Sequence, residues 1–319
     1  MSALQVQLAF ELKRFGATHK SIETIFIGGG TPSTVSPQLY KPIFEFLTPY
    51  LKENIEITSE ANPNSATHEW LSGMREIGVN RISFGVQSFN LKKLKLLNRA
   101  HTPDQAKNAV LNAAKVGFEN ISLDLIYATY GDTKELLEYD INSAFTLPIN
   151  HISAYALTIE EGTAFESKPQ MSSEQLSLTS WIFKTIEEHG FKQYEISNFG
   201  SYNSTHNLGY WQYKDYMGVG SGAVGKLGLT RFYPQTIVEK YIENPTQIRE
   251  EVLDNEDKRI EQIFLGFRSC IGVSSQVFTK DELKRAQILV DENKISLINE
   301  TFYNDDYLLA DEITLFISS

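Results

Sequence analysis

The chain has 319 residues, a formal net charge of −11 and one cysteine, Cys270. Such a length buries a large core, the acidic balance argues against nucleic acid or an anionic membrane surface as the main partner, and a lone thiol excludes a disulfide framework. It also excludes an iron–sulfur cluster held by these residues alone, because clusters take about three or four thiolates.

The start of the chain places Leu4, Leu8, Leu12 and Phe15 on one helical face, with acidic Glu11 nearby. This pattern is an amphipathic helix over 4–15 and not a signal or transit sequence, so the expected location is the cytoplasm. No stretch nears about eighteen consecutive apolar residues, and no transmembrane helix is expected. Strand and helix patterns then alternate: strand 22–28, helix 37–51, strand 55–60, helix 66–77, strand 80–84, helix 90–98, helix 103–116, strand 121–127, helix 132–144 and strand 151–157. Helix 103–116 is the best marked, with Thr102 as its cap, Pro103 in the first turn and Gly117 just past the end. Five strands alternating with helices imply an α/β fold with a parallel sheet and right-handed crossovers, either a barrel or a doubly wound sheet. In both, ligands bind at the carboxyl ends of the strands.

Beyond residue 157 the pattern loosens. A helix is expected from Ser172-Ser173 to His189, opened by a capping box of Ser172 and Gln175 and ended by Gly190. Tyr194 to Gly228 reads as loop-rich. Polar sequence around Glu243-Asn244-Pro245 and Asp254-Asn255-Glu256-Asp257-Lys258 marks a boundary near 235–258. Residues 1–235 are thus expected as one domain, and 258–319 as a small α/β domain. The latter would hold helices 258–268 and 280–292 and hairpin-like strands near 294–303 and 306–310. From Glu261 onward ten acidic residues stand against five basic ones, which argues against DNA binding by that domain.

Several residues stand out within this frame. The run Ile25-Phe26-Ile27 enters Gly28-Gly29-Gly30-Thr31-Pro32-Ser33, a strand whose exit loop leaves backbone N–H groups open to a carboxylate or phosphate. A plain tight turn explains such a loop equally well. Glu60, Gln87 and Asp124 fall at or near strand ends. Glu60 can be read as a solvated strand-end acid, Gln87 as a structural hydrogen-bonder and Arg99 as a helix-end cation. Asp124 resists that treatment, because it sits inside Ile121-Ser122-Leu123-Asp124-Leu125-Ile126 and an unpaired carboxylate in a buried strand is costly. It must face a partner such as Arg99, or a cavity. His206 heads an aromatic cluster of Tyr210, Trp211, Tyr213 and Tyr216, although a His beside an Asn is more often a turn residue. The histidines at 19, 68, 101, 151 and 189 show no metal-ligand spacing, and helix capping accounts for His101.

Taken in order, Gly28-Gly29-Gly30-Thr31-Pro32, Glu60-Ala61-Asn62-Pro63, Gly85-Val86-Gln87-Ser88, Leu97-Asn98-Arg99, Asp124-Leu125-Ile126-Tyr127 and His206-Asn207-Leu208-Gly209-Tyr210-Trp211 carry a family resemblance. They resemble the oxygen-independent coproporphyrinogen III oxidase family of radical SAM proteins, and within it the haem-chaperone branch. The resemblance implies a partial parallel (β/α) barrel with a winged-helix-like C-terminal domain. It places Gly29, Gly30 and Thr31 at the methionine end of S-adenosylmethionine (SAM) and makes Glu60 a SAM-binding carboxylate. Gln87, Arg99, Asp124, Ala156 and Val224 would line the same cavity, and His206 becomes a candidate haem ligand. The implied partners are haem or another porphyrin and a haem-acceptor protein, with a peripheral contact where that acceptor is membrane-bound.

Family members carry Cys-x3-Cys-x2-Cys after their first strand, for a [4Fe–4S] cluster that chelates SAM. This chain starts at the helix beyond that segment, so the barrel is expected to lack its first strand and the chain as given to lack radical chemistry. The expectation is a clipped chain rather than a degenerate paralogue, because the SAM-site residues remain. Oxidation of coproporphyrinogen III is the alternative activity. A barrel enzyme taking a phosphorylated substrate at Gly28–Gly30 is a third reading.

Overall fold

The computed structural model describes residues 1–159, 162, 165–173 and 176–319. In chain order the first elements are α1 (Ser2–Arg14), β1 (Ile22–Ile27), α2 (Pro37–Leu47), β2 (Leu51–Ala61), α3 (His68–Glu76), β3 (Arg81–Gln87), α4 (Leu91–Leu96), α5 (Pro103–Val116), β4 (Asn120–Tyr127), α6 (Lys134–Phe145), β5 (His151–Ala156), α7 (Leu176–Glu188), β6 (Lys192–Gln193) and β7 (Asn198–Gly200). There follow α8 (Thr205–Trp211), β8 (Gly225–Leu227), β9 (Thr230–Pro234), α9 (Val238–Glu243), β10 (Ile248–Val252), α10 (Asn255–Phe267), β11 (Val273–Ser274), α11 (Lys280–Asp291), β12 (Ile295–Ile298), β13 (Thr301–Asn304) and α12 (Ala310–Ser318). They fall into two compact units. One comprises Thr24–Phe44 and Glu56–Ser204; the other comprises Met1–Glu23, Glu45–Ile55 and Thr205–Ser319.

The first unit is built on an open seven-stranded sheet in the order β1-β2-β3-β4-β5-β7-β6. Strands β2 to β5 pair in parallel, while β7 runs antiparallel to β5 and β6 antiparallel to β7. The crossover helices have local reasons to form. Thr102 and Gln105 make a reciprocal capping box on α5, whose end is set by Gly117 at φ +99°. Thr67 caps α3 and Asn90 caps α4 through side-chain oxygens. Helix α2 stops at Leu47, short of the expected 51, because Thr48-Pro49-Tyr50 tightens into a 3-10 turn and Leu51 already begins β2.

Period-two alternation gives the sheet two different faces. Ile57, Ile82, Phe84, Ile121, Leu123, Leu125, Ile152, Ala154 and Phe199 are buried, and α5 and α6 pack on β3 and β4. The intervening residues are polar: Glu56, Thr58 and Glu60 on β2, Arg81 and Ser83 on β3, Ser122 and Asp124 on β4, His151 and Ser153 on β5, Asn198 on β7. Several of them satisfy one another. Ser122 Oγ lies 2.7 Å from His151 Nδ1, His151 Nε2 lies 2.8 Å from the Tyr194 hydroxyl, and Ser204 Oγ donates to Glu56 at 3.0 Å. Burial holds His151 well below the ordinary histidine range, so the ring is neutral within this chain of bonds.

In the second unit β8, β9 and β10 form one antiparallel sheet and β11, β13 and β12 another. Helices α10, α11 and α12 close over the latter, around Phe267, Ile263, Phe278, Phe302 and Ile317. Two expectations are corrected here. The stretch near 306–310 is not a strand: Tyr307–Leu309 is a 3-10 turn capped by the Asp306 side chain, and it leads into α12. The hairpin instead turns earlier, at Asn299-Glu300, where both residues take positive φ as a two-residue reversal requires. Within the region read as loop-rich, the motif starting at His206 lies on helix α8. The expected capping box at Ser172 and Gln175 falls partly outside the described residues.

One buried ion network braces the first unit. Lys93 Nζ stands 2.8 Å from Asp132 and 4.0 Å from Asp140, with all three side chains almost wholly enclosed. Removing the cation leaves two buried carboxylates facing each other. Lys93→Met is therefore expected to cost about 3–5 kcal/mol of stability, measured by urea denaturation.

Candidate functional site

The carboxyl ends of β1 to β5 bring most of the singled-out residues together. At the end of β1 the chain enters Gly28-Gly29-Gly30. A Cβ on Gly28 would lie 2.5 Å from the Phe26 ring and 3.1 Å from the Glu60 carboxyl carbon, so the backbone there approaches its neighbours as only glycine permits. The Gly29 N–H reaches the Glu60 carboxylate. Thr31 precedes a 3-10 turn over Pro32–Thr34, and its carbonyl accepts from the Thr34 N–H at 3.0 Å.

Glu60 pairs in register with Ser83, and Ser83 Oγ donates to Asp124 at 3.1 Å. Asp124 in turn pairs in register with Ser153, which also bonds its carboxylate, and Ser153 pairs with Asn198. A polar row thus crosses the sheet from β2 to β7. Burial raises Glu60 above the usual carboxylate range, the charge of Asp124 adds to that, and the Gly29 N–H opposes it. Burial also pushes Asp124 up to about 6, against the bonds from Ser83 and Ser153 and the charges of Arg81 and Arg99. Of the two settings open to it, the structure shows the partnered one, through Ser83, Ser153 and the nearby arginines. Arg99 lies just beyond α4, its guanidinium feeling the Asp124 charge.

Gln87 ends β3 at φ +67°, rare for a residue with a side chain, and its amide oxygen is enclosed without a hydrogen-bond partner. Ala156 ends β5, in register with Tyr127. His101 is corrected: Thr102 caps α5, whereas His101 is buried with Nε2 2.9 Å from the Val86 carbonyl. Burial lowers its pKa, so the neutral ring donates through Nε2.

Two groups escaped the sequence reading, buried Glu195 and half-exposed Tyr155. Glu195, in the loop between β6 and β7, is pushed up to about 7 by burial despite bonds from Ser197 and Asn198. Its Oε1 and the Asn198 Oδ1 are enclosed and unpaired. Tyr155 lies between the two ends of this row, bonded to Ser153 and Asn198 and raised by burial and by the charges of Asp124 and Glu195. A Glu flanked by Tyr194 and Ile196 was the available signal.

Val224 and His206 belong to the other unit. Gly218 allows the backbone at Ala223 and Val224 to come within 2.2–2.3 Å of where its Cβ would stand. His206 is on α8, with Nε2 3.1 Å from the Tyr210 hydroxyl one helical turn on. Their rings meet edge to face at 5.0 Å, and Tyr210 meets Tyr216 likewise at 4.8 Å. Tyr213, at φ +58°, donates its hydroxyl to Glu261 at 2.8 Å and carries the Lys226 ammonium 4.1 Å from its ring centre.

Comparison with known proteins places the chain in a family. The radical SAM superfamily pattern matches residues 5–144. The heme chaperone HemW of Lactococcus lactis subsp. lactis is 35% identical over 301 residues, covering 90% of this chain and 79% of that protein. This chain belongs to the HemW family of radical SAM proteins. HemW of Bacillus subtilis is likewise 35% identical, covering 88% of this chain and 78% of its own length. The solved structure of coproporphyrinogen III oxidase (HemN) from Escherichia coli superposes with a TM-score of 0.81 at 17% identity, covering 100% of this chain and 82% of that one. At that identity the likeness establishes the radical SAM fold alone. Among the described residues no helix is long and apolar enough to cross a membrane.

The elevated Asp124 pKa makes a signed prediction. The folded state keeps a proton that the unfolded chain has already released, so its stabilising contribution is full below about pH 4 and is lost as pH rises through about 6. Asp124→Asn should therefore lose less stability than the wild type between pH 4 and 6, as read from thermal melts across that range.

Proposed function

We propose that this chain binds SAM at the carboxyl ends of β1 to β4 and haem at the His206 cluster, and that it passes haem to an acceptor protein. The family implies SAM and a [4Fe–4S] cluster, and the chain's residues treat the two differently. For SAM the donor set fits. The glycine cradle at Gly28–Gly30, the enclosed and unpaired amide oxygen of Gln87, and two carboxylates, Glu60 and Asp124, suit a ligand with a cationic amine, a sulfonium and a hydroxyl-bearing ribose. Gly29, Gly30 and Thr31 would meet the methionine end, and Glu60 its amine. Arg99, Asp124 and Ala156 would stand along the rest of the ligand. Ionised Glu60 and Asp124 face each other at a cost that a bound cation relieves.

For the cluster the donor set does not fit. These residues include one cysteine, and it is exposed; among the described residues no group of three His, Cys, Asp or Glu side chains is placed to hold a metal. The role read for the chain's own groups is to bind and orient SAM.

The haem reading rests on one observation above all: an imidazole set edge-on in a cluster of tyrosines on a short helix. A porphyrin needs apolar walls and an axial nitrogen. Tyr210 orients the His206 ring, and that imidazole would supply the nitrogen donor to the haem iron. The two relatives named HemW carry the word chaperone in their names, which supports delivery to a protein acceptor over oxidation of a porphyrinogen.

Titration with haemin tests this reading. Wild type should develop a shifted Soret band and His206→Ala should not; an unchanged band in the variant would remove His206 as the ligand. Separately, Glu60→Gln should weaken SAM binding by about tenfold or more in calorimetry, the scale of a lost charge-assisted hydrogen bond.

A further inference from the structure

Gln87 is held in an unusual conformation, and the residues that hold it form a connected buried network. The Ser88 N–H donates to the Val86 carbonyl at 2.8 Å across Gln87, whose φ is +67°. An i+2 to i bond with positive φ at the apex is the rare and strained form of the γ-turn. The pairing of β3 with β4 shifts register between Phe84 and Gln87, so an extra residue bulges out just before the apex. A side chain at Gly85 would press within 3.1 Å of the Gln87 amide nitrogen, so the amide folds back over a position that must stay small. Backbone strain of this kind costs roughly 1–3 kcal/mol and persists only where surrounding groups determine it.

Both flanks of the turn are pinned. On the entry side the Val86 carbonyl also accepts from buried His101 at 2.9 Å. On the exit side the Ser88 hydroxyl lies 2.7 and 3.0 Å from the two Asp140 oxygens, and the Phe89 N–H donates to Asp140 at 2.6 Å. The same hydroxyl accepts from the Asn90 N–H at 2.9 Å, which ties the turn to the cap of α4. Asp140, on α6, is only 2% exposed and has the Lys93 ammonium at 4.0 Å. A buried carboxylate aimed at one serine hydroxyl and one backbone N–H is an expensive way to stabilise an ordinary loop.

We propose that Ser88 and Asp140 are positioning residues for ligand binding: they lock the strained turn that presents the Gln87 amide at the carboxyl end of β3. The inference rests on the SAM reading of this site and extends it to two residues that do not touch the ligand. Its signature is conditional, because the network matters to SAM only while Gln87 is present.

The test is a double-mutant cycle in the full chain, with SAM affinity measured by calorimetry and folding followed by thermal melts. Ser88→Ala is expected to weaken SAM binding by about tenfold, and Ser88→Thr, which keeps a hydroxyl, to restore it. In a Gln87→Ala background Ser88→Ala should cause no further loss. Asp140→Asn should behave in the same conditional way. Gln87→Gly supplies a readout that a purely structural role would not give: relief of the positive φ should raise the melting temperature while SAM affinity falls. Unchanged affinity in Ser88→Ala, or equal losses with and without Gln87, would overturn the positioning role. Unchanged affinity in Gln87→Ala would instead sink Gln87 as a contact and the inference with it, whereas failure of Glu60→Gln alone would count against the SAM reading of the other end of the site.

Discussion

Everything in the first unit follows from how its sheet disposes of the polar side chains on one face. A parallel sheet covered by helices on both faces reads as continuous apolar strands. Here the strands alternate, and every second residue from β2 to β7 brings a hydroxyl, an imidazole, a guanidinium or a carboxyl into a region largely closed to water. Each must find a partner among its neighbours. Ser122, His151 and Tyr194 do so completely, which is a structural solution. Gln87, Glu195 and Asn198 do so incompletely, each with a buried oxygen left without a partner, and Glu60 and Asp124 beside them are bonded but held above the usual carboxylate range by burial.

The second unit solves a different problem. Its three-stranded C-terminal sheet and helices α10 to α12 enclose an ordinary apolar core. Its unusual side-chain arrangement lies instead on α8 and the following loop. There Tyr213 adopts a left-handed backbone and is fixed at both ends of its side chain, by Glu261 at the hydroxyl and Lys226 over the ring. Positive φ at Gln87 in one unit and at Tyr213 in the other marks two bulky side chains held in a backbone conformation they rarely adopt.

Much of this was legible in the sequence because the signals were local. Thr102, Pro103 and Gly117 announce α5 within sixteen residues, and an Asp inside an apolar strand is conspicuous wherever it falls. The choice between a barrel and a doubly wound sheet was not legible from alternation, since both share it; the family motifs made that choice. Tyr307-Leu308-Leu309 looked like a strand because a short apolar run has no period long enough to distinguish strand from helix. His101 was misread because its partner, the Val86 carbonyl, lies fifteen residues away across a turn that no pattern predicts. Glu195 was missed because burial of a loop residue is a property of the assembled sheet edge.

The formal charge of −11 counts every carboxyl as ionised. The fold does not. With Asp124 titrating at about 6 and Glu195 at about 7, the native chain retains protons in mildly acidic solution that the denatured chain has surrendered. Unfolding near pH 6 therefore acidifies its surroundings, and the heat it absorbs depends on the ionisation enthalpy of the buffer that takes up those protons. The same retained protons make the native molecule migrate more slowly toward the anode than its composition alone would dictate.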